Sequence, residues 1–374
     1  MKFLRLAFYV LIAQLVLSGC AGEGVEETSS SSSSEITFDA YVGRNASTRA
    51  GVTDIDFLRQ DKSIWNAGFG VFARYNHTDG TISSLMDTEW VTWNKNQNPN
   101  HWEYTNTRYW PNEGFVDFYA FAPYNGGVTM GKLPDYLVNN PDSKDETYIW
   151  FPSYMNPIDL LWAKAENQTK ENNSGAKKVE FTFNHATARL GFDITANQEL
   201  EENGAVIIVE NVKLYGSSDA QGVFALEGYL NLKTGKWILG TYATRWYYTW
   251  TLHGNKDGEE KDPELKLSAS QLDHTHNIIT NAPNSYIFII PQTKSEAFYL
   301  QITYTVKQGD FEEEVTVKKN LLEVLNPSGV SNSFEFVMGK AYVFHLKLSL
   351  DPVKFSVTPT VEDFDKVNDK TMFL

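Results

Sequence analysis

Short segments with alternating apolar and polar residues recur along almost the whole chain, and this period of two constrains the fold most. In ITFDAYV, residues 36–42, the alternation is that of a strand with one buried face. Comparable segments span residues 116–123, 160–165, 178–185, 188–195, 205–216, 246–252, 286–291, 298–306, 312–319, 340–350 and 354–364. Turn clusters separate them, and helical spacing is limited to residues 51–58, 83–90 and 268–274. The pattern predicts an all-β fold of the sandwich type.

The length of 374 residues favours two domains, because one domain usually holds about 100–200 residues. Two polar stretches, residues 166–177 and 196–204, are the candidate boundaries, and we favour the second. The prediction is an N-terminal β-sandwich over residues 50–195 and a C-terminal β-sandwich over residues 196–374.

The first 19 residues have the composition of an export signal. Lys2 and Arg5 precede an apolar run, residues 6–17, which is too short to cross a bilayer comfortably. The next residues, LSGC, end at Cys20 and resemble the lipobox of bacterial lipoproteins, which implies a lipid on Cys20 and a new N-terminus there. The alternative is an ordinary secretory signal beside a chance cysteine. Cys20 is the only cysteine, so the chain has no internal disulfide.

The segment after Cys20, residues 21–35, is rich in Gly, Glu and Ser and predicts a flexible tether. Its acids Glu23, Glu26 and Glu27 resemble the surface-export signals of Bacteroidetes lipoproteins, although a merely solvated tether has the same composition. Together with the strand that follows, residues 20–49 form a lipidated N-terminal segment.

Charge and motifs argue against nucleic-acid binding and catalysis. The formal net charge is −15, whereas binding to phosphates needs clustered Lys and Arg. The chain has no Gly-x-Ser-x-Gly, no Gly-rich phosphate loop and no His-Glu-x-x-His. His274 and His276 are the only closely spaced histidines and are better interpreted as loop residues than as metal ligands. We therefore predict no enzyme activity, no metal and no cofactor.

Tryptophans are concentrated in an amide-rich segment, residues 91–111, which contains Trp93, Trp102 and Trp110. Exposed aromatic rings can stack on sugars, so these three residues are the candidate glycan-binding side chains, although large aromatics are more often core residues. The segment WYYTWT, residues 246–251, places three large aromatics on one strand face, which favours burial over a sugar platform.

The order of several segments resembles the fimbrillin family, the type V pilins and related surface lipoproteins of Bacteroidetes. The resemblance covers essentially the whole chain and rests on the segments LSGC, ITFDAYVGRNASTRAG, WPNEGFVDFYAFAPY, DLLWAKA, FTFNHATARLGFDI, VENVKLYGSSDAQGVFAL, YIFIIPQT and GKAYVFHLKLSL…VKFSVTPTVEDFD. It implies two tandem transthyretin-like β-sandwiches behind a lipoprotein signal peptide, a location at the cell outer membrane or in a fimbrium, and other fimbrial subunits as partners.

The resemblance also implies maturation and assembly. An arginine-specific protease cuts the lipidated precursor after Arg49, with Arg44 as the second candidate, and the strand at residues 35–49 leaves. A C-terminal strand from another subunit, within residues 354–374, then takes its place.

The chain itself has features that suit strand exchange. Loss of a core strand exposes unpaired backbone groups and an apolar trough that another strand can fill. Residues 354–364 extend about 36 Å at ~3.3 Å per residue. The predicted donor side chains are Phe355, Val357, Val361 and Phe364. Two alternatives stay open: this segment is the last strand of its own sheet, or the chain is a non-polymerising surface lipoprotein, either a fimbrial anchor or a protein that binds host or bacterial glycans or proteins.

Overall fold

The computed structural model of the chain describes residues 35–43, 53–64, 67–134, 137, 147–152, 158–174, 177–196, 204–217, 223–225, 227–240, 248–251, 265–267, 276–277, 287–329, 331–349 and 356–363. In this part of the chain strands predominate, as the alternation predicts. None of the helices there has the length and hydrophobicity that a bilayer-spanning segment needs.

The first twelve strands are β1 Phe38–Val42, β2 Phe69–Asn76, β3 Ile82–Asn94, β4 His101–Glu103, β5 Phe115–Ala122, β6 Met130–Gly131, β7 Tyr148–Pro152, β8 Leu161–Gln168, β9 Val179–His185, β10 Ala188–Ala196, β11 Val206–Tyr215 and β12 Glu227–Asn231. The others are β13 Trp237–Leu239, β14 Tyr248–Thr251, β15 Leu265–Leu267, β16 His276–Asn277, β17 Ile287–Ile289, β18 Gln292–Lys294, β19 Tyr299–Gln308, β20 Phe311–Asn320, β21 Phe334–Phe336, β22 Lys340–Leu348 and β23 Ser356–Asp363. Two short helices are α1 Ile55–Leu58 and α2 Leu321–Leu325.

One of the three helix predictions is confirmed, one is wrong and one falls outside the described residues. Residues 51–58 include α1, whose first turn is capped by the Asp54 carboxylate, which accepts a hydrogen bond of 2.8 Å from the Phe57 backbone N–H. Residues 83–90 lie in β3 instead of a helix. Irregular register between β2 and β3, together with a positive φ of 55° at Thr88, breaks the period of two there and leaves a spacing that resembles a helix. Residues 268–274 lie outside the described residues.

The strands form one long sheet and several smaller ones. The seven-stranded sheet has the order β1-β9-β8-β5-β2-β3-β4, and its end strands β1 and β4 contact each other, so the sheet curls round on itself. The C-terminal half contains the sheets β16-β10-β22-β23 and β14-β11-β19-β20, with β17 also paired to β10 and β15 to β11. A four-stranded sheet, β13-β12-β7-β6, joins strands from both halves, and β18 pairs with β21.

Three apolar clusters form the core. One lies entirely within residues 36–183, and another contains buried residues from 188 to 348. The third combines residues of both halves, for example Phe72 and Phe121 with Leu230 and Ile290, and packs the two halves together. The change from the first cluster to the second therefore falls between residues 183 and 188, which lies between our two candidate boundaries.

Strand β10 differs from its predicted position. We placed residues 188–195 at the end of the N-terminal sandwich, but β10 pairs with β17 and β22, and its Leu190 and Phe192 belong to the second cluster. Pairing partners that lie about 100 to 150 residues further along the chain decide this, and the local alternation of β10 does not show it. The number and limits of the domains stay a prediction.

Candidate assembly site

Strand β1, the predicted removable strand, lies at the end of the seven-stranded sheet. It pairs in parallel with β9, from Phe38 opposite Val179 to Val42 opposite Phe183. On its other side the segment of residues 104–109 runs beside its first residues, and an isolated bridge joins Glu35 to Tyr109. We call the groove between β9 and residues 104–109 the β1 groove.

The side chains of this strand enter the first core cluster. Ile36, Phe38 and Ala40 are at most 1% exposed, whereas Tyr41 on the opposite face is half-exposed. The Phe38 ring lies 5.5 Å from the ring of Tyr104 and 5.7 Å from those of Phe118 and Phe181, measured between centroids. Ile36, two residues before β1, and Phe38 and Ala40 within it thus fill an apolar groove.

Hydrogen bonds to backbone groups hold both edges of the chain just before β1, at Ile36 and Thr37. On the β9 side, the Val179 N–H donates to the Thr37 carbonyl at 2.9 Å. On the other side, the Ile36 N–H donates to the Arg108 carbonyl at 2.9 Å, and the Tyr104 hydroxyl donates to the Ile36 carbonyl at 2.7 Å. Burial raises the pKa of Tyr104 to about 12, so this hydroxyl keeps its proton at neutral pH.

The candidate cleavage residues Arg44 and Arg49 lie outside the described residues, but the chain is anchored soon after them. The buried carboxylate of Asp159 accepts a hydrogen bond of 2.9 Å from the Thr53 N–H, and the Asp159 carbonyl accepts one of 2.8 Å from the Thr53 hydroxyl. Nδ1 of His185 lies 2.9 Å from the same carboxylate. A cut after Arg49 would therefore leave the new N-terminal segment attached at Thr53.

Strand β23, in the predicted donor segment, is an end strand of another kind. It pairs antiparallel with β22 of its own chain. Of the predicted donor side chains, Val357 is half-buried against the second core cluster and Val361 is 49% exposed, while Phe355 and Phe364 fall outside the described residues. Apart from Glu362, whose side chain is not described, the side chains of β23 are half-buried or exposed, in contrast to the buried Phe38 and Ala40 of β1.

The three candidate glycan-binding tryptophans do not form an exposed platform. Trp102 and Trp110 are 4% and 6% exposed and belong to the first core cluster. The Trp102 ring packs against Trp93 at 5.0 Å, and Trp93, itself half-buried, is covered by the Arg59 guanidinium at 4.6 Å. We correct the prediction for Trp102 and Trp110, since a ring enclosed by core side chains has no face open to a sugar.

Metal binding also finds no support in the described residues. Of the two closely spaced histidines, His276 lies in β16, while His274 is not described. In the described ranges, no group of three or more His, Cys, Asp or Glu side chains is arranged to hold a metal ion.

Sequence reasoning missed two parts of this site. Residues 104–109 belong to the segment that we singled out for sugar binding, but Tyr104 and Arg108 line the β1 groove instead. Asp159 gave no signal, because its partner Thr53 is 106 positions away.

Comparison with known proteins places these features in context. A family model described as fimbrillin-like matches residues 48–363. A fimbrial protein from Bacteroides vulgatus has 17% identity, with 88% of this chain and 99% of that chain covered and a TM-score of 0.59. A structure described as a cell adhesion protein from Bacteroides uniformis has 17% identity, with 88% of this chain and 98% of that chain covered and a TM-score of 0.46.

The tip fimbrial protein Mfa3 of Porphyromonas gingivalis, with a C-terminal truncation, has 10% identity, coverage of 79% and 93%, and a TM-score of 0.35. Among these three structures, the likeness to the Bacteroides vulgatus protein supports a common fold. No curated protein has a significant sequence match to the chain.

Proposed function

Because the chain belongs to the fimbrillin-like family, we propose that it is a structural or adhesive fimbrial subunit assembled by strand exchange. It is exported as a precursor with a lipid on Cys20, which holds it at the outer membrane before cleavage. A protease cuts after Arg49, or after Arg44 as the second candidate, and β1 leaves. The β1 groove then accepts residues 354–374 of another subunit, and the chain acts without enzymatic chemistry or a cofactor.

The observation that carries this proposal is the way in which β1 fills its groove. The strand lies at the end of its sheet and pairs with β9 along its whole length, and it buries Phe38 and Ala40 together with Ile36 just before it. When it leaves, β9 loses its hydrogen-bonding partner on that edge, although it stays paired with β8, and the rings around Phe38 lose their contacts with it. Such an exposed edge with an apolar trough binds a strand of matching alternation.

Strand β23 has the properties that an inserted donor strand needs. It has the same alternation as β1, it lies at the edge of its sheet, and its side chains are only partly buried in its own chain. Transfer to the deeper β1 groove of a neighbour buries more apolar surface than β23 gives up, which favours exchange. Donation from one subunit to the next does not close on itself, so it gives a filament.

The anchored segment after the cut supports the same proposal. Thr53 is tied by two hydrogen bonds to Asp159, a residue at the entrance of β8 that does not belong to β1. Removal of residues 35–49 therefore leaves α1 and the rest of the first cluster attached. The groove opens without loss of the chain that follows it.

Substitution of the two arginines tests the proposal. In cells that make filaments, Arg49→Ala should leave the chain at precursor size and abolish its incorporation, whereas Arg44→Ala, the matched control, should mature normally. Maturation and filament formation by Arg49→Ala would refute cleavage at this site. Deletion of residues 354–374 should give a folded monomer that cannot donate, and an unfolded product would mean that β23 is an obligatory strand of its own sheet.

A second candidate function is a non-polymerising surface lipoprotein, such as a fimbrial anchor. The pairing of β23 with β22 of the same chain favours it, because in this arrangement both exchange elements are already in place. Such a protein would keep its lipid on Cys20 and would never lose β1. The state of the N-terminus at the cell surface separates the two functions.

A further inference from the structure

The residues that hold the start of β1 are fixed to other parts of the molecule. The Arg108 Nε donates to the Leu85 carbonyl at 3.0 Å, and the Asn106 side-chain amide donates to the Glu89 carboxylate at 3.2 Å. The Arg108 N–H donates to the Tyr104 hydroxyl at 3.1 Å. These contacts join residues 104–109 to β3 and to one another without the help of β1, so we expect them to persist when β1 leaves.

Two groups of this segment bind one residue of the strand through its backbone. The Arg108 carbonyl accepts the Ile36 N–H, and the Tyr104 hydroxyl donates to the Ile36 carbonyl. Both contacts are indifferent to the side chain at that position, but the first one requires a backbone N–H and therefore excludes proline. We infer that Tyr104 and Arg108 form a register clamp, which sets the register in which a strand from a second copy of the chain enters the β1 groove.

The clamp matters because the β9 edge alone does not define one register. A strand with alternating apolar residues can shift by two positions along β9 and still direct its apolar side chains into the core. The clamp binds the backbone at the position of Ile36, and the pocket holds the side chain of Phe38, two residues later. Together they constrain two positions of any inserted strand. An inserted strand needs a residue with an N–H in the clamp and, two residues later, a large side chain in the pocket.

Applied to the C-terminal segment in the direction of β1, this rule selects one register. With Val353 in the clamp, Phe355 takes the place of Phe38, Val357 that of Ala40 and Pro359 that of Val42. A shift of two residues places Val357 in the phenylalanine pocket and leaves a void. A shift of four places Val357 in the clamp and Pro359 in the pocket, and a shift of six puts Pro359 in the clamp, where it has no N–H to donate.

In the selected register the proline does not break the ladder with β9. The Val179 N–H bonds to the Thr37 carbonyl, so the odd-numbered residues of β1 direct their backbone groups to β9 and the even-numbered ones direct theirs to the other side. Pro359 would replace an even-numbered residue, Val42. Its missing N–H therefore faces away from β9, beyond the clamp.

The first experiment uses the intact chain and does not depend on strand exchange. Hydrogen exchange at the Ile36 amide should be about fivefold or more faster in Tyr104→Phe, which loses the hydroxyl but keeps the ring against Phe38. The matched control is Tyr75→Phe, whose hydroxyl donates to the Glu113 carbonyl away from the groove. Equal exchange in the two variants would overturn the clamp.

The second experiment identifies the occupant and rests on the proposed function. In the chain cut after Arg49, a synthetic peptide of residues 351–364 should displace the fluorescently labelled strand of residues 35–49. N-methylation of Val353 should weaken the peptide about tenfold or more, because it removes the donor to Arg108. N-methylation of Val357 is the control and should have less than about a twofold effect, since the corresponding Ala40 N–H donates to the Asp39 side chain of its own strand and not to the clamp.

The two experiments fail in different ways. Equal effects of the two N-methyl groups would overturn the predicted register. If Tyr104→Phe speeds exchange at the Ile36 amide as expected but the peptide does not displace the strand, the clamp holds for β1. Both the C-terminal occupant and the proposed assembly are then refuted.

Discussion

Replacing Phe38 by alanine should lower the stability of the precursor but not that of the assembled subunit. Phe38 is 1% exposed, and its ring lies within 5.7 Å of three other rings. Truncation of a buried phenylalanine costs about 3–5 kcal/mol, and burial of an aromatic side chain of about 150–200 Å² at ~25 cal/mol per Å² gives a similar value. We expect Phe38→Ala to lower the free energy of unfolding of the uncut chain by about 4 kcal/mol.

The same substitution should leave the assembled subunit unchanged, because β1 has left by then. The assay is urea unfolding of the uncut chain and of purified filaments. Phe118→Ala is the matched control, since Phe118 lines the groove in both states, and it should destabilise both by a similar amount. If Phe38→Ala prevents folding of the precursor, Phe38→Leu serves with a smaller loss of about 1–2 kcal/mol. Filaments destabilised as much as the precursor would refute strand release.

Three further predictions follow from other contacts. The pKa of Tyr104 is about 12 in the folded chain against ~10 when unfolded, so its contribution to stability is fully present below pH 10 and is lost as the pH rises toward 12. With partial screening by solvent, alkaline unfolding titrations should show Tyr104→Phe losing about 1–2 kcal/mol less than the parent over that range. Asp159→Asn leaves one side-chain oxygen for contacts that two oxygens now share, among them the Thr53 N–H and the Thr187 hydroxyl, and should lower the free energy of unfolding in urea by about 1–3 kcal/mol. Gly235→Ala should lower the melting temperature, because Gly235 has a φ of +71° and an added Cβ would meet the Trp162 ring; an unchanged melting temperature would contradict this packing.

Much of the fold follows from local alternation. Segments such as residues 179–185, 299–308 and 340–348 are strands close to the predicted limits, because one face of each is buried in an apolar cluster. The pattern fails at β3, where bulges break the period of two. It also says nothing about partners, and the parallel pairing of β1 with β9 joins residues about 140 positions apart.

The site was only partly predictable for the same reason. The alternation of residues 36–42 identifies β1 as a strand with a buried face, and the structure gives that face a deep groove. The aromatic segment around Trp102 was singled out for sugar binding, but the Trp102 ring is buried in the core, since composition does not distinguish a core ring from an exposed one. The hydroxyl of Tyr104 has no local signal at all, because its acceptor, the Ile36 carbonyl, is 68 positions away.

The central claim is that β1 leaves the mature protein, and the N-terminus of the surface-exposed form tests it most directly. N-terminal sequencing and mass spectrometry of the protein released from washed cells should give a chain that begins at Ala50 and lacks residues 35–49. A chain that begins with an acylated Cys20 and still contains β1 would contradict the account and identify a stationary lipoprotein.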